Sequence, residues 1–214
     1  MMEHLEFSGT HVINPTYAYR KVKDKYSMSY TLAKAGLPIP KTYVTEMANW
    51  AYRASQDFSQ TVYKPIVGAL GFGSMKFDDS DIAFNAFKTL ERLGHPLYIQ
   101  EYLDKHGQDI RVFVIGDEVS ASISRIAAPG KWKTNVAQGS QIKAFRLSAE
   151  LREISLKAVK AVGLLYAGVD IMETRNGPVV LEVNGSPSWQ GLQQATGINV
   201  AEHLVRFAAN VVKH

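Results

Sequence analysis

The spacing of apolar positions changes several times along the chain, and each change marks an element. Between 22 and 35, Val22, Tyr26, Met28, Leu32 and Ala33 recur at helical spacing, and Gly36 stands where a helix C-cap takes glycine. One helix is predicted there. Pro38 and Pro40 then impose extended chain. A second helix is expected from Met47 to Ser55, and a strand from Thr61 to Ile66. Gly68 to Ser74 is a glycine-rich loop, after which Met75 to Phe77 resumes extended structure. Asp81 to Leu93 returns to helical spacing, with Asp79 or Ser80 as its cap.

After Gly94 strands dominate: Leu97–Leu103, Asp109–Ile115 and Glu118–Ile126, with Gly116-Asp117 as a tight hairpin signal. Residues 127–141 read as a loop. Ala149 to Val162 reads as a helix closed by Gly163. Two strands follow, Gly168-Val169-Asp170-Ile171 and Leu181-Glu182-Val183-Asn184, with Asn176-Gly177 as the turn. A loop from Gly185 to Gly197 leads to a terminal helix from Val200 to Val212. Residues 1–19 lack sustained periodicity and read as a lead-in segment. The expected architecture is α+β in two lobes, about 20–95 and 96–214, with a ligand held between them.

Composition narrows the class. A chain of 214 residues with 46% hydrophobic and 21% charged residues is ordinary for a folded protein. No apolar run is long enough to cross a bilayer, and the N-terminus lacks the basic and apolar regions of a signal peptide. There is no cysteine, which removes disulfides, thiolate zinc sites and cysteine nucleophiles, and fits a cytoplasmic setting. The net charge of +4 suits an anionic ligand such as ATP, or nucleic acid. The basic run from Arg20 to Lys25 reads more readily as a solvated helix face, so nucleic acid rests on charge alone.

The residues that could carry chemistry lie in a few places. Glu182 and Asn184 are two apart, so on a strand they share a face, with Asp170 on the neighbouring strand. An Asp, a Glu and an Asn at one point suit Mg²⁺, which takes oxygen ligands and leaves room for water and phosphate oxygens. That combination suggests a nucleoside triphosphate. Lys64 ends an apolar strand beside the glycine loop. It either snorkels to the surface or meets phosphates that the loop N–H groups also bind. The loop lacks Gly-Lys-Ser/Thr and the dinucleotide glycine order, so a plain turn is about as good a reading. Gln100-Glu101-Tyr102 ends a strand, where backbone groups could read an adenine edge. Asp109, Arg111 and Arg125 lie on adjacent strands. A cross-strand Asp/Arg pair is ordinarily structural, whereas an arginine at a strand end could steady a developing oxyanion. The six histidines have no metal-ligand spacing, and no serine elbow is present.

Taken in order, these pieces resemble the ATP-grasp superfamily, and within it the RimK-type carboxylate–amine ligases. The matching residues are Asp24-Lys25, Gly36 to Thr42, Val62-Tyr63-Lys64-Pro65 with Gly68 to Gly73, Gln100-Glu101-Tyr102, Gly107 to Gly116, Trp132 to Gly139, Ala167 to Ile171, and Leu181 to Asn184. The resemblance implies that Lys25 and Lys64 contact ATP phosphates under the loop containing Gly71, Gly73 and Ser74. It implies that Gln100, Glu101 and Tyr102 hold adenine, with Asp109 toward the ribose or a nearby lysine, and that Lys133 and Asn135 approach phosphate. Asp170, Glu182 and Asn184 would bind two Mg²⁺ ions, or Mn²⁺, and Arg125 would stabilise the transferring phosphoryl group.

The implied activity joins an amino acid, glutamate by the same resemblance, to a small-molecule or protein carboxylate acceptor through an acylphosphate, releasing ADP and phosphate. The resemblance implies that most of the family's usual N-terminal domain is lacking ahead of residue 20, by nature or by truncation of the chain. An oligomer or a partner chain would then complete the acceptor site, and a nucleotide-binding module that depends on such a partner is the alternative. Ser186-Pro187-Ser188-Trp189 looks more like archaeal relatives that add glutamate to pterin or deazaflavin coenzymes.

Overall fold

The computed structural model describes residues 1–68, 71–104, 108–132, 134 and 139–212. Two antiparallel sheets organise them. The first has the order β1-β4-β2-β3, from β1 (Thr42–Thr45), β2 (Thr61–Lys64), β3 (Met75–Phe77) and β4 (Leu97–Glu101). The second has the order β7-β6-β5-β8-β9, from β5 (Gln108–Ile115), β6 (Glu118–Ile126), β7 (Gln141–Ala144), β8 (Tyr166–Thr174) and β9 (Gly177–Asn184).

Side-chain alternation gives each sheet a core face and a cleft face. On β4, Leu97 and Ile99 pack with Tyr63 against α4 (Ala48–Gln56) and α5 (Ser80–Arg92). Tyr98 and Gln100 point to the other side of that sheet. On the second sheet, Ile110, Val112, Val114, Val169, Ile171 and Val183 face α2 (Thr16–Lys23), α3 (Lys25–Lys34) and α6 (Ala149–Val162). The opposite face is divided along its length. Phe113, Ile115, Ala121 and Ile123 are covered by α7 (Gln190–Thr196) and α8 (Val200–Val211), through Leu192 and Val200. The rest of that face carries the polar residues of the site.

Several expectations meet a different structure. The helix expected over 22–35 is two helices broken at Asp24, whose backbone is extended and pairs with Val67. The Asp24 side chain caps α3 by accepting from the Ser27 N–H at 2.7 Å, so the break supplies its own N-cap. The division expected at 95/96 does not follow the sheets. β4 belongs to the first sheet, and α2 and α3 pack on the core of the second.

The lead-in segment contains α1 (Met2–Phe7) and the buried residue Asn14. Within 127–141 and 185–197, expected as loops, lie the start of β7 and all of α7. Thr174 is opposite Gly177, so Arg175-Asn176 forms the turn, and Gly177, at φ +107°, opens β9. β9 is an edge strand, and two of its outward N–H groups are covered. Val180 donates to the Pro38 carbonyl at 2.8 Å, and Val183 to the Met28 sulfur at 3.2 Å. No helix among the described residues is long and apolar enough to cross a membrane.

Candidate active site

The cleft faces of the two sheets bound a cavity of about 460 Å³, within the range of small-molecule sites. Lys25, Lys64, Gly71, Ser74, Asp109, Arg125, Asp170, Glu182 and Asn184 all line it, so most of the predicted set is brought together. Gly73, Gln100, Glu101 and Tyr102 lie outside that lining, and Lys133 and Asn135 fall outside the described residues. Among the described lining residues, five basic side chains face three acidic ones, an excess that suits a polyanion.

Strand register explains the floor of the site. Asp170 on β8 is opposite Glu182 on β9, and Gly168 is opposite Asn184. The two carboxylates and the amide therefore share one face at neighbouring positions. On the other side of β8, Arg111 is opposite Asp170, and Asp109 on β5 is opposite Arg125 on β6. Asp170 accepts from Arg111 through both oxygens, from Nη2 at 2.8 Å and also from Nε. Arg125 Nη2 lies 3.1 Å from the same carboxylate, and its Nε donates to Asp109 at 2.7 Å. The Thr134 hydroxyl donates to the other Asp109 oxygen.

This network is buried, with Asp170 at 6% and Arg125 at 7% exposure. Burial alone would push the Asp170 carboxyl up, but Arg111 and Arg125 outweigh it and hold the group below the usual carboxylate range. Burial likewise works against the charge on Arg125, and Asp170 and Asp109 overcome it and raise its pKa. Gly168 makes room for the fork: a Cβ there would stand 2.9 Å from Pro187 Cβ and 3.0 Å from Arg111 Nη1.

The roof is built by the first sheet and the glycine loop. Lys25, the first residue of α3, donates from Nζ to the Gly68 carbonyl at 3.3 Å and lies 3.7 Å from Glu182 Oε1. Its own N–H donates to the Ile66 carbonyl at 3.0 Å, so the helix break ties α3 to the base of the loop. Gly73, at φ +74°, comes so close to Pro65 that a Cβ would meet its Cγ at 2.7 Å. Lys64 donates to Gln100 Oε1 at 2.6 Å. Glu101 accepts from the Lys41 N–H at 2.8 Å, while Tyr102 packs edge-on to Trp132 and carries Lys76 Nζ 4.2 Å from its ring centroid.

Donor chemistry around Asp170, Glu182 and Asn184 fits a hard divalent cation. The Asn184 side-chain nitrogen is buried with no hydrogen-bond partner among the described residues, beside a Glu182 carboxylate with one lysine at ion-pair distance. A cation would take Asn184 by its amide oxygen, Oδ1, beside the Glu182 carboxylate, leaving the unpartnered NH₂ to donate to a phosphate or water oxygen. Asp170 brings a carboxylate with lone pairs beyond those its two arginines take up. Among the described residues no cluster of three or more His, Cys, Asp or Glu side chains offers a competing site.

Arg111, which the sequence offers only as part of a structural Asp/Arg pair with Asp109 and Arg125, instead forks onto Asp170. Its placement depends on the β5–β8 pairing, which the linear sequence does not display.

Comparison with known proteins identifies the family and the fold. A RimK-like ATP-grasp domain matches residues 22–208. The tetrahydromethanopterin:alpha-L-glutamate ligase of Methanosarcina acetivorans is 36% identical, over 99% of this chain and 74% of its own length. The enzyme of the same name from Methanocaldococcus jannaschii is 37% identical, over 94% of this chain and 71% of its own. Among solved structures, D-alanine–D-alanine ligase from Bacillus anthracis complexed with ATP superposes with a TM-score of 0.79, covering 99% of this chain and 75% of that one at 20% identity, which speaks to the fold. A family match over most of the length, together with two relatives above 30% identity, means that the chain belongs to the RimK-like ATP-grasp domain family and is a ligase of the ATP-grasp type.

Proposed function

We propose that this chain joins L-glutamate, through its α-amino group, to a carboxylate on an acceptor of the tetrahydropterin-coenzyme class, using ATP and releasing ADP and phosphate. The observation that carries the reading is the single cleft face on which Arg111, Arg125, Asp170, Glu182 and Asn184 meet beneath Lys25 and Lys64. The names of the archaeal relatives support glutamate and this acceptor class.

Lys25, Lys64 and the N–H groups of the glycine loop would bind the triphosphate, and the main chain at Glu101 and Tyr102 would border the base. Lys133 and Asn135 would add to the phosphate contacts. Asp170, Glu182 and Asn184 would hold Mg²⁺, which supplies charge neutralisation at the phosphate oxygens.

An acceptor carboxylate oxygen attacks the γ-phosphorus, the bond to the β-phosphate oxygen breaks, and ADP leaves. Arg125, held by Asp109, and Arg111 beside it meet the charge on the transferring group. The glutamate nitrogen then attacks the acyl carbon, phosphate leaves with its bonding pair, and the nitrogen loses a proton. No protein nucleophile takes part. Enclosure between the sheets keeps water from the acylphosphate.

The test is ADP release from Mg·ATP and glutamate across a panel of carboxylate acceptors, with mass spectrometry of the products. ADP formation that requires both substrates, with an acceptor one glutamyl residue heavier, is expected. ATP hydrolysis indifferent to glutamate and to every acceptor would overturn the assignment.

A further inference from the structure

We infer that Gln100, with Tyr98 and Ser29 behind it, is a positioning residue that aims Lys64 at the nucleotide phosphates. The inference rests on the nucleotide-binding reading above. Gln100 is 2% exposed, does not line the cleft, and spends its side chain on protein partners.

The register places the group on one face. Gln100 is opposite Thr42 on β1 and Val62 on β2, and Lys64 is opposite Tyr98. Lys64 and Gln100 are thus diagonal neighbours across the β2–β4 pair, within reach of a long side chain.

The polarity of the relay follows from its chemistry. The Thr42 hydroxyl donates to the Pro40 carbonyl at 2.8 Å, so its oxygen must accept from Gln100 Nε2, also at 2.8 Å. The second Nε2 hydrogen goes to the Tyr98 hydroxyl at 2.8 Å. Both amide donors are then used, and Oε1 is turned to Lys64 Nζ at 2.6 Å, where an ammonium can only donate. The amide cannot flip without setting its NH₂ against a cation.

The Tyr98 hydroxyl meets Ser29 Oγ at 2.6 Å. Ser29 stands four residues after Lys25 on α3, so one helix face carries Lys25 to the cleft and anchors the relay that holds Lys64. α3 packs on the second sheet's core, while Lys64 and Gln100 belong to the first sheet. The relay therefore sets the position of one phosphate-binding lysine relative to the other.

The test is a double-substitution cycle read by calorimetric binding, without turnover. The unsubstituted chain, Gln100→Met, Lys64→Met and the double variant are titrated with a non-hydrolysable ATP analogue and with adenosine. A hydrogen bond to a charged group predicts that Gln100→Met weakens the analogue about tenfold or more. Adenosine binding is expected to change little, and Gln100→Met should cost nothing further once Lys64 is gone. Tyr98→Phe, which deletes only a hydroxyl, should shift analogue binding in the same direction by a smaller factor. A Gln100→Met loss of equal size with and without Lys64, or of equal size for adenosine, overturns the positioning role and leaves the nucleotide site standing. Absence of analogue binding by the unsubstituted chain overturns both.

Discussion

Replacing Asn14 with alanine is expected to cost about 3–5 kcal/mol of stability, although the residue lies in a segment with no periodicity. Asn14 is 3% exposed, and its amide makes four hydrogen bonds across the fold. Nδ2 donates to the carbonyls of Tyr166 and Gly185, each at 2.8 Å, and Oδ1 accepts from the N–H groups of Leu165 and Tyr166 at 2.7 and 2.9 Å. Alanine leaves two part-buried N–H groups and two carbonyls without this partner. Each orphaned donor costs about 1–3 kcal/mol, and carbonyls, with a second lone pair, suffer less. The bonds join the start of the chain to Leu165 and Tyr166, where the chain enters β8, and to the residue after Asn184. The segment therefore steadies both strands that carry the candidate cation ligands.

Urea unfolding followed by tryptophan fluorescence measures the loss, and an unchanged m-value keeps the comparison two-state. Asn14→Asp keeps the acceptor oxygens, loses both donations and buries a charge, so it should lose a similar amount. A loss below about 1 kcal/mol for the alanine variant would refute the reasoning, because exposed positions behave that way.

Three further predictions address the site. Asp170→Asn leaves two guanidinium groups facing a neutral amide and should destabilise by about 3 kcal/mol or more near neutral pH. The folded pKa of Asp170 lies below its ordinary value of 3.8, so the stability it contributes is present above that value and is lost as pH falls through the lower folded value; acid denaturation of the pair of proteins should converge in that window, and a difference constant into strong acid would contradict the pairing. Gly168→Ala drives a methyl group into Pro187 and Arg111 and should cost about 1–3 kcal/mol, with a loss of turnover larger than the loss of nucleotide affinity; wild-type kinetics in a crystal-verified variant would show that the fork has slack. Glu182→Gln should lower ADP formation about a hundredfold or more and weaken Mn²⁺ binding measured by paramagnetic resonance in the presence of nucleotide, since a carboxylate ligand is lost; unchanged Mn²⁺ affinity would remove Glu182 from the cation site.

What the sequence displayed and what it hid follow from the range of the interactions involved. α5 and α6 run for three turns or more with capping residues at their ends, Asp79, Ser148 and Gly163, so pattern alone located them within a residue. Glu182 and Asn184 were legible because their relation is local, two residues apart on one strand. β7 is four residues and α7 seven, too short for a period to declare itself. The break at Asp24 depends on pairing with Val67, a tertiary contact that overrides a continuous helical pattern.

The site divides in the same way. Residue types pointed to Asp170 and Arg125, but the Arg111 fork follows from a register between strands far apart in the chain. The family resemblance puts Gln100 beside the base. Its alternation on β4, together with Thr42 and Tyr98, turns its side chain instead toward Lys64.

The central claim, that the cleft makes an acylphosphate from ATP and a carboxylate, is tested most directly by isotope transfer. An acceptor carrying heavy oxygen in its carboxylate is turned over with Mg·ATP and glutamate, and the released phosphate is analysed by mass spectrometry. One labelled oxygen in the phosphate, with ADP as the nucleotide product, is the predicted result. Unlabelled phosphate, or labelled AMP with pyrophosphate, would contradict the account.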